Sequence, residues 1–150
     1  MTLKNTFNFF ETLATETSKK SELKVYQEFT QIISGIENKK LSESDIQSIE
    51  TELDSLNLKS NPENRKKYFK KALSKFETYL KDTFSLTSKG YYTKLYGGLG
   101  LTFGLLFGVA ILSNLERSLG ISLGLIGGMV VGSIMGREKD AQAKAAGKML

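Results

Sequence analysis

Two uncharged, apolar segments dominate the hydrophobic pattern of the chain. They run over residues 95–113 and 118–136, and the polar break 114–117 separates them. Each is about 19 residues long, and at about 1.5 Å rise per residue a helix of that length spans about 28 Å, close to the hydrocarbon thickness of a bilayer. Ten Leu, Ile, Phe and Val residues in the first segment and eight in the second favour insertion, by about 3–6 and about 2–5 kcal/mol respectively. The pattern predicts a transmembrane helical hairpin.

The alternative is a buried helical hairpin inside a soluble domain. Such a domain would have to cover two helices that are apolar on every side, and the rest of a 150-residue chain is too short for this because it forms one-faced helices with their own core. A signal peptide is excluded by position, since residues 1–20 contain no uninterrupted apolar run.

Glycine recurs at every fourth position in both apolar segments. Because glycine weakens a helix in water by about 1 kcal/mol relative to alanine, such a row indicates close helix packing, in which small residues let two backbones approach. The predicted helix-packing residues are Gly100, Gly104 and Gly108 in the first row and Gly120, Gly124, Gly128, Gly132 and Gly136 in the second.

The second row also predicts self-association. Four residues turn a helix by about 400°, so five glycines sweep about 160° around the axis, which is more than one partner helix should cover. We therefore expect one part of the row to pack on the first row and another part to meet a second copy, which makes the protein a homo-oligomer.

The polar N-terminal region has the apolar period of amphipathic helices, and the expected fold class is all-α: a small helical bundle followed by the two-helix hairpin. Residues 1–37 form one or two helices, depending on whether the polar run 17–20 is a break. Ser42 and Asp45 form a capping box at the start of a helix that reaches about Leu56. Its carboxylates have helical spacing and no central glycine, so we assign them to a solvated face rather than to a calcium loop.

A basic helix should follow, with Asn61 as its cap and Pro62 as its first residue, and should reach about Phe84. One side is apolar and the other carries lysines. Three assignments of the lysines are considered: phosphate-backbone binding, which no accompanying nucleic-acid motif favours, an ordinary solvated surface, and contact with anionic headgroups. We assign the lysines to contact with anionic headgroups, and we expect tyrosines near the start of the hairpin to form a belt at the same interface. The predicted interface residues are Lys66, Lys67, Lys70, Lys71, Lys75, Lys81, Tyr91, Tyr92, Lys94, Tyr96 and Arg137.

Composition excludes several kinds of chemistry. The chain has no His and no Cys, so it lacks the usual general base, thiolate nucleophiles and the commonest metal ligands. The glycines near Gly100 and Gly132 do not have the spacing of nucleotide-binding loops. We expect no enzyme activity, no cofactor, no metal and no nucleic-acid partner.

The flanking charges predict the orientation. Lys89 and Lys94 precede the hairpin, and further basic residues follow it, whereas the turn contains only Arg117. By the positive-inside tendency both termini face the cytoplasm. The abundance of Lys, Asn, Ser, Ile and Phe resembles an AT-rich bacterial coding bias, and the expected location is the bacterial inner membrane. The expected organisation is a cytoplasmic helical region (1–90), the hairpin (91–137) and a short polar tail (138–150).

The order of parts resembles a group of small, uncharacterised bacterial glycine-zipper membrane proteins. The resemblance covers roughly residues 42–150 and is carried by residues 61–69, 76–81 and 90–92, the two glycine rows and the tail 140–148, which ends in Ala146-Gly147-Lys148 where the group has an acidic residue, Gly and Arg. It implies a helical headpiece on a membrane hairpin, and it implies no activity.

Three functions are compatible with these features. The first, which we favour, is a membrane-anchored structural or adaptor protein that self-associates and binds an unknown protein through residues 1–60. The second is a pore-forming or membrane-perturbing protein similar to holins or bacteriocins, and the third is an anionic-lipid-binding protein. Against the pore, neither apolar segment contains a charged residue, and we expect no ionisable residue to face a lumen.

Overall fold

The computed structural model describes residues 1–60, 62–110 and 117–150, and within these ranges the protein is all-α, as predicted, and has six helices. The helices are α1 (Leu3–Glu16), α2 (Lys20–Glu37), α3 (Glu43–Ser55), α4 (Arg65–Phe84), α5 (Tyr91–Ala110) and α6 (Arg117–Ala145). The chain divides into two compact units. We call Met1–Thr87 together with Leu150 the headpiece, and Ser88–Met149 the hairpin unit.

Local signals explain where the headpiece helices begin and end. Thr17 has an extended backbone (φ −83°, ψ 130°) and its N–H donates to the Leu13 carbonyl, so the polar run ends α1 and the first 37 residues form two helices. Ser42 and Asp45 form the predicted capping box at the start of α3. Both boundaries therefore follow from local sequence.

The predicted start of α4 is wrong. Pro62 lies before the helix, and Asn64 is the N-cap, accepting a hydrogen bond from the Lys67 N–H at 3.0 Å. Asn61, the expected cap, lies outside the described residues. The predicted end at Phe84 is confirmed, and Ser85 follows in the left-handed conformation with φ 56°.

Aromatic rings fill the headpiece core. Phe10 stacks on Phe29 with ring centroids 4.1 Å apart, and Phe69 meets Phe10 edge-on at 5.5 Å. Apolar side chains of α2, α3 and α4 supply most of the remaining core, so these aromatic rings serve in packing. Leu150 also belongs to this unit: its N–H donates to the Thr87 carbonyl at 2.9 Å, and it packs on Gly35. The chain thus leaves the headpiece after Thr87, forms the hairpin unit and returns to the headpiece at Leu150.

In the hairpin unit α5 and α6 pack against each other along their length. Both are long and apolar enough to cross a membrane, with mean hydropathy of 1.2 and 1.8 over the most apolar 18 residues within Tyr91–Ala110 and Ser118–Ala145, respectively. The helices extend beyond the apolar segments, since α5 begins at Tyr91 and α6 continues to Ala145 through most of the expected polar tail. Residues 111–116, which include most of the predicted polar break, lie outside the described residues.

Candidate functional site

The two glycine rows form the interface between α5 and α6. The backbones come so close that a Cβ built on a glycine of one row would collide with backbone atoms of the other helix. A Cβ on Gly108 would lie 2.5 Å from the Gly120 carbonyl oxygen, and one on Gly128 would lie 2.8 Å from the Gly104 Cα. The contacts run in opposite order along the two helices, so the helices are antiparallel. Only glycine permits this spacing.

The second row lies against α5 over its full length. Besides the contacts of Gly120 and Gly128, a Cβ on Gly124 would lie 2.8 Å from the Gly108 Cα, and one on Gly136 would lie 2.5 Å from the Thr93 Cα. The expectation that one partner helix could not cover this row is therefore wrong. Glycines spaced four residues apart follow a line that winds slowly around the helix axis. Two such lines stay in contact when their helices wind around each other. The sweep of the row gives no support for a second copy.

The outward faces of α5 and α6 carry large apolar side chains, whereas glycines line the contact between the two helices. Large apolar side chains are exposed, including Phe107 at 60% and Ile126 at 64%, while Gly104 and Gly124 between the helices are buried. Only 17% and 22% of the most apolar stretches of the two helices are buried. A core helix of a soluble domain would be mostly buried, so this surface has the composition that a lipid environment favours.

An apolar groove of about 510 Å³ lies along one side of the hairpin. Glycines form its floor, and apolar side chains form its walls: Leu99, Phe103 and Phe107 on α5, and Leu123, Val131 and Met135 on α6. Gly127 lines the groove and has no atom within 4 Å of a Cβ built on it. Unlike the rows, this glycine is not used for packing within the hairpin.

Asp140 continues the second glycine row by one more step of four and caps α5. Its Oδ1 accepts a hydrogen bond from the Tyr92 N–H at 3.0 Å, and its Oδ2 accepts from the Thr93 N–H at 3.0 Å and the Thr93 hydroxyl at 2.6 Å. The carboxylate is buried and bonds to N–H groups that have no partner within their own helix. Sequence reasoning missed this role, although the register of Asp140 with the glycines was a usable signal.

The predicted interface residues of the hairpin unit converge at one end. Tyr92 lies against Gly136, so the start of α5 and the end of the apolar part of α6 are at the same level. Tyr92 contacts the rings of Tyr91 and Tyr96 at centroid distances of 5.3 and 6.3 Å. Lys94 and Arg137 are exposed near this level. The structure thus brings together the tyrosines and charges that the sequence predicts for a bilayer interface.

The predicted lysines of α4 lie in the headpiece and are described separately. Lys66, Lys67, Lys70, Lys71 and Lys75 are exposed, and none has an ion pair among the residues that the structure describes. Lys81 is different, because its ammonium lies 3.1 Å from Asp82 Oδ1. We call the five exposed residues the lysine face.

Two hydroxyls on the apolar parts of α5 and α6 form hydrogen bonds within their own helices. The Thr102 hydroxyl donates to the Gly98 carbonyl at 3.2 Å, and the Ser122 hydroxyl donates to the Ser118 carbonyl at 2.9 Å. Within the described ranges, no group of three or more His, Cys, Asp or Glu side chains is placed to hold a metal ion.

No protein-family model matches the sequence, and neither the curated proteins nor the solved structures give a match.

Proposed function

We propose that the chain is an integral membrane protein of the bacterial inner membrane, in which α5 and α6 anchor a non-enzymatic adaptor headpiece. The observation that carries this proposal is the inverted burial of the hairpin, with glycines inside and large apolar side chains outside. In water that surface would be unfavourable, whereas lipid solvates it. The similarity to bacterial glycine-zipper membrane proteins stays a prediction.

Both termini are proposed to face the cytoplasm. The start of α5 and the Gly136 end of the apolar part of α6 lie at one level, and the flanking basic residues Lys89, Arg137 and Lys139 follow the positive-inside tendency there. A reporter fused after Leu150 should be active in the cytoplasm. Activity only on the opposite side of the membrane would reverse the orientation.

The composition of the headpiece supports the adaptor role. Its apolar side chains form a core of their own, so its exposed polar faces are available to a partner. The proposed protein partner binds through residues 1–60, and a homo-oligomer also stays a prediction. Locally bonded hydroxyls at Thr102 and Ser122 give no support to the alternative of a conducting pore.

Alkaline carbonate washing of membranes tests the anchor. The full-length protein should stay in the pellet and dissolve only in detergent, because a spanning hairpin is held by its apolar surface and not by charge. The same preparation, extracted in mild detergent and weighed as an intact complex, should contain a stoichiometric second protein. Release by carbonate without detergent would refute the anchor, and a mass equal to one chain would refute both the partner and the oligomer.

A further inference from the structure

We propose that the lysine face of α4 binds the headgroups of anionic phospholipids. The inference goes beyond anchoring and rests on the proposed function in one respect, namely that the hairpin holds the headpiece at a bilayer. It assigns a ligand class to a surface of the headpiece that packing and capping do not use.

The spacing of the lysine face is unfavourable without an anion. Lys66 and Lys70 are four residues apart, as are Lys67, Lys71 and Lys75, so like charges are neighbours along the exposed side of the helix. Such pairs destabilise a helix. No carboxylate among the described residues forms an ion pair with them. A layer of phosphate groups would relieve this repulsion.

The opposite side of α4 limits how the helix can bind. Phe69, Leu73 and Phe76 are buried in the headpiece core. The helix therefore cannot turn its apolar face into a bilayer as a free amphipathic helix does. Binding through the lysine face alone is electrostatic, and it should weaken as salt screens the charges.

Charge is also segregated between neighbouring helices of the headpiece. The segment Glu43–Ser55 has five acidic and no basic residues, which gives α3 a charge of −5. The segment Arg65–Phe84 has seven basic and two acidic residues, which gives α4 a charge of +5. A negative surface attracts α4 and repels α3, so lipid binding would also orient the headpiece.

Chain connectivity favours a lipid over other polyanions. Phe84 ends α4 and Tyr91 begins α5, so even a fully extended connection spans no more than about 25 Å. Anionic lipids around the anchored hairpin are therefore present at a high effective concentration, and weak contacts suffice. A nucleic acid or an acidic protein would have to bind from solution without this advantage.

Site-specific fluorescence in nanodiscs tests the inference on the full-length chain. Because the sequence has no cysteine, Ser74→Cys can carry a single label among the exposed residues beside Lys71 and Lys75, and Ser48→Cys can carry a matched label on an exposed position of α3. Each protein is reconstituted with phosphatidylcholine alone or with added phosphatidylglycerol, and both lipid mixtures contain a lipid whose headgroup is spin-labelled to quench nearby fluorophores.

We expect quenching at position 74 to increase with phosphatidylglycerol and to be lost between about 0.1 and 1 M salt, where the Debye length falls from about 10 to about 3 Å. Position 48 should stay unquenched. Replacement of the lysine face by five glutamines should abolish the increase, and replacement by five arginines should retain it. If the glutamine variant does not fold, the salt dependence of quenching at position 74 in the otherwise wild-type protein tests the lipid site.

Three results would overturn the inference: equal quenching in the two lipid mixtures, quenching that salt does not change, or strong binding of added RNA to the lysine face on zwitterionic nanodiscs. Co-elution of the protein with the nanodisc separates these outcomes from a failure of the anchor. A protein that never enters the disc refutes the proposed function, whereas one that enters without lipid-dependent quenching refutes only the lipid site.

Discussion

A Cβ built on Gly104 would collide with the carbonyl oxygen of Gly124, and a Cβ built on Gly124 would collide with the carbonyl oxygen of Gly104. The collision is with backbone in both directions, so no side-chain rotation can relieve it. The two helices must separate before either position can accept a side chain.

Gly124→Ala should therefore destabilise the hairpin by about 1–3 kcal/mol, the usual cost of overpacking a close contact. Gly127→Ala is the matched control, because a Cβ at Gly127 meets nothing within 4 Å. Thermal unfolding of the detergent-solubilised protein, followed by circular dichroism, measures the difference. Equal midpoints for the two variants would contradict the close packing of α5 on α6.

Asp140→Asn should weaken the cap of α5. An amide NH₂ would face an N–H donor where a carboxylate oxygen now accepts from Tyr92 or Thr93, and a buried donor left without an acceptor costs about 1–3 kcal/mol. Glu138→Gln, at an exposed position of the same helix, is the control. Thr93→Val should be non-additive with Asp140→Asn in a double-mutant cycle, since the Thr93 hydroxyl also bonds to Asp140. Strict additivity would show that the two side chains do not interact in solution.

Phe10→Ala should cost much more stability than Phe107→Ala although the substitution is the same. Phe10 is fully buried and stacks on Phe29, so its removal should cost the headpiece about 3–5 kcal/mol. Phe107 is 60% exposed, so its truncation should leave unfolding in detergent nearly unchanged. Thermal unfolding of both variants in one detergent is the measurement. A large loss for Phe107→Ala would mean that this face packs against protein and not against lipid.

Alkaline pH should destabilise the headpiece through Tyr26, which is buried, and Tyr79, which is half-buried. Burial raises the pKa of Tyr26 above its ordinary value of 10.0, and the neighbouring Glu22 carboxylate raises it further. Burial also raises the pKa of Tyr79, with Glu52 and Asp45 adding to the effect. Folded protein then holds these protons more tightly than unfolded protein, so the stabilisation is complete below about pH 10 and is lost as pH rises above it.

Tyr26→Phe keeps the ring and removes the titration. Its unfolding free energy should fall less between pH 8 and 11 than that of the wild type, and Tyr26→Phe/Tyr79→Phe should fall least. Denaturant unfolding of the headpiece measures this, with tyrosinate absorbance as a direct titration. An identical loss in wild type and variants would assign the alkaline effect to other groups.

The start of α4 shows where local signals are ambiguous. Asn61-Pro62 and Asn64 are both good beginnings for a helix, and the period of the apolar face does not distinguish them. The structure starts the helix after Asn64.

Asp140 shows a different limit of what local sequence can predict. Its register with the glycine row is visible in the sequence, but its partners Tyr92 and Thr93 are 48 and 47 residues away.

Periodicity along the chain was sufficient for the all-α class, the two long apolar helices, the capping box at Ser42 and the apolar face of α4, because each depends on residues within a few turns of one another. Folding in three dimensions determined that the whole second glycine row packs on α5, that Asp140 caps that helix and that Leu150 rejoins the headpiece beside Thr87. These features depend on contacts between residues that are remote in the chain, and the side-chain period along a single helix does not identify the partner in such a contact.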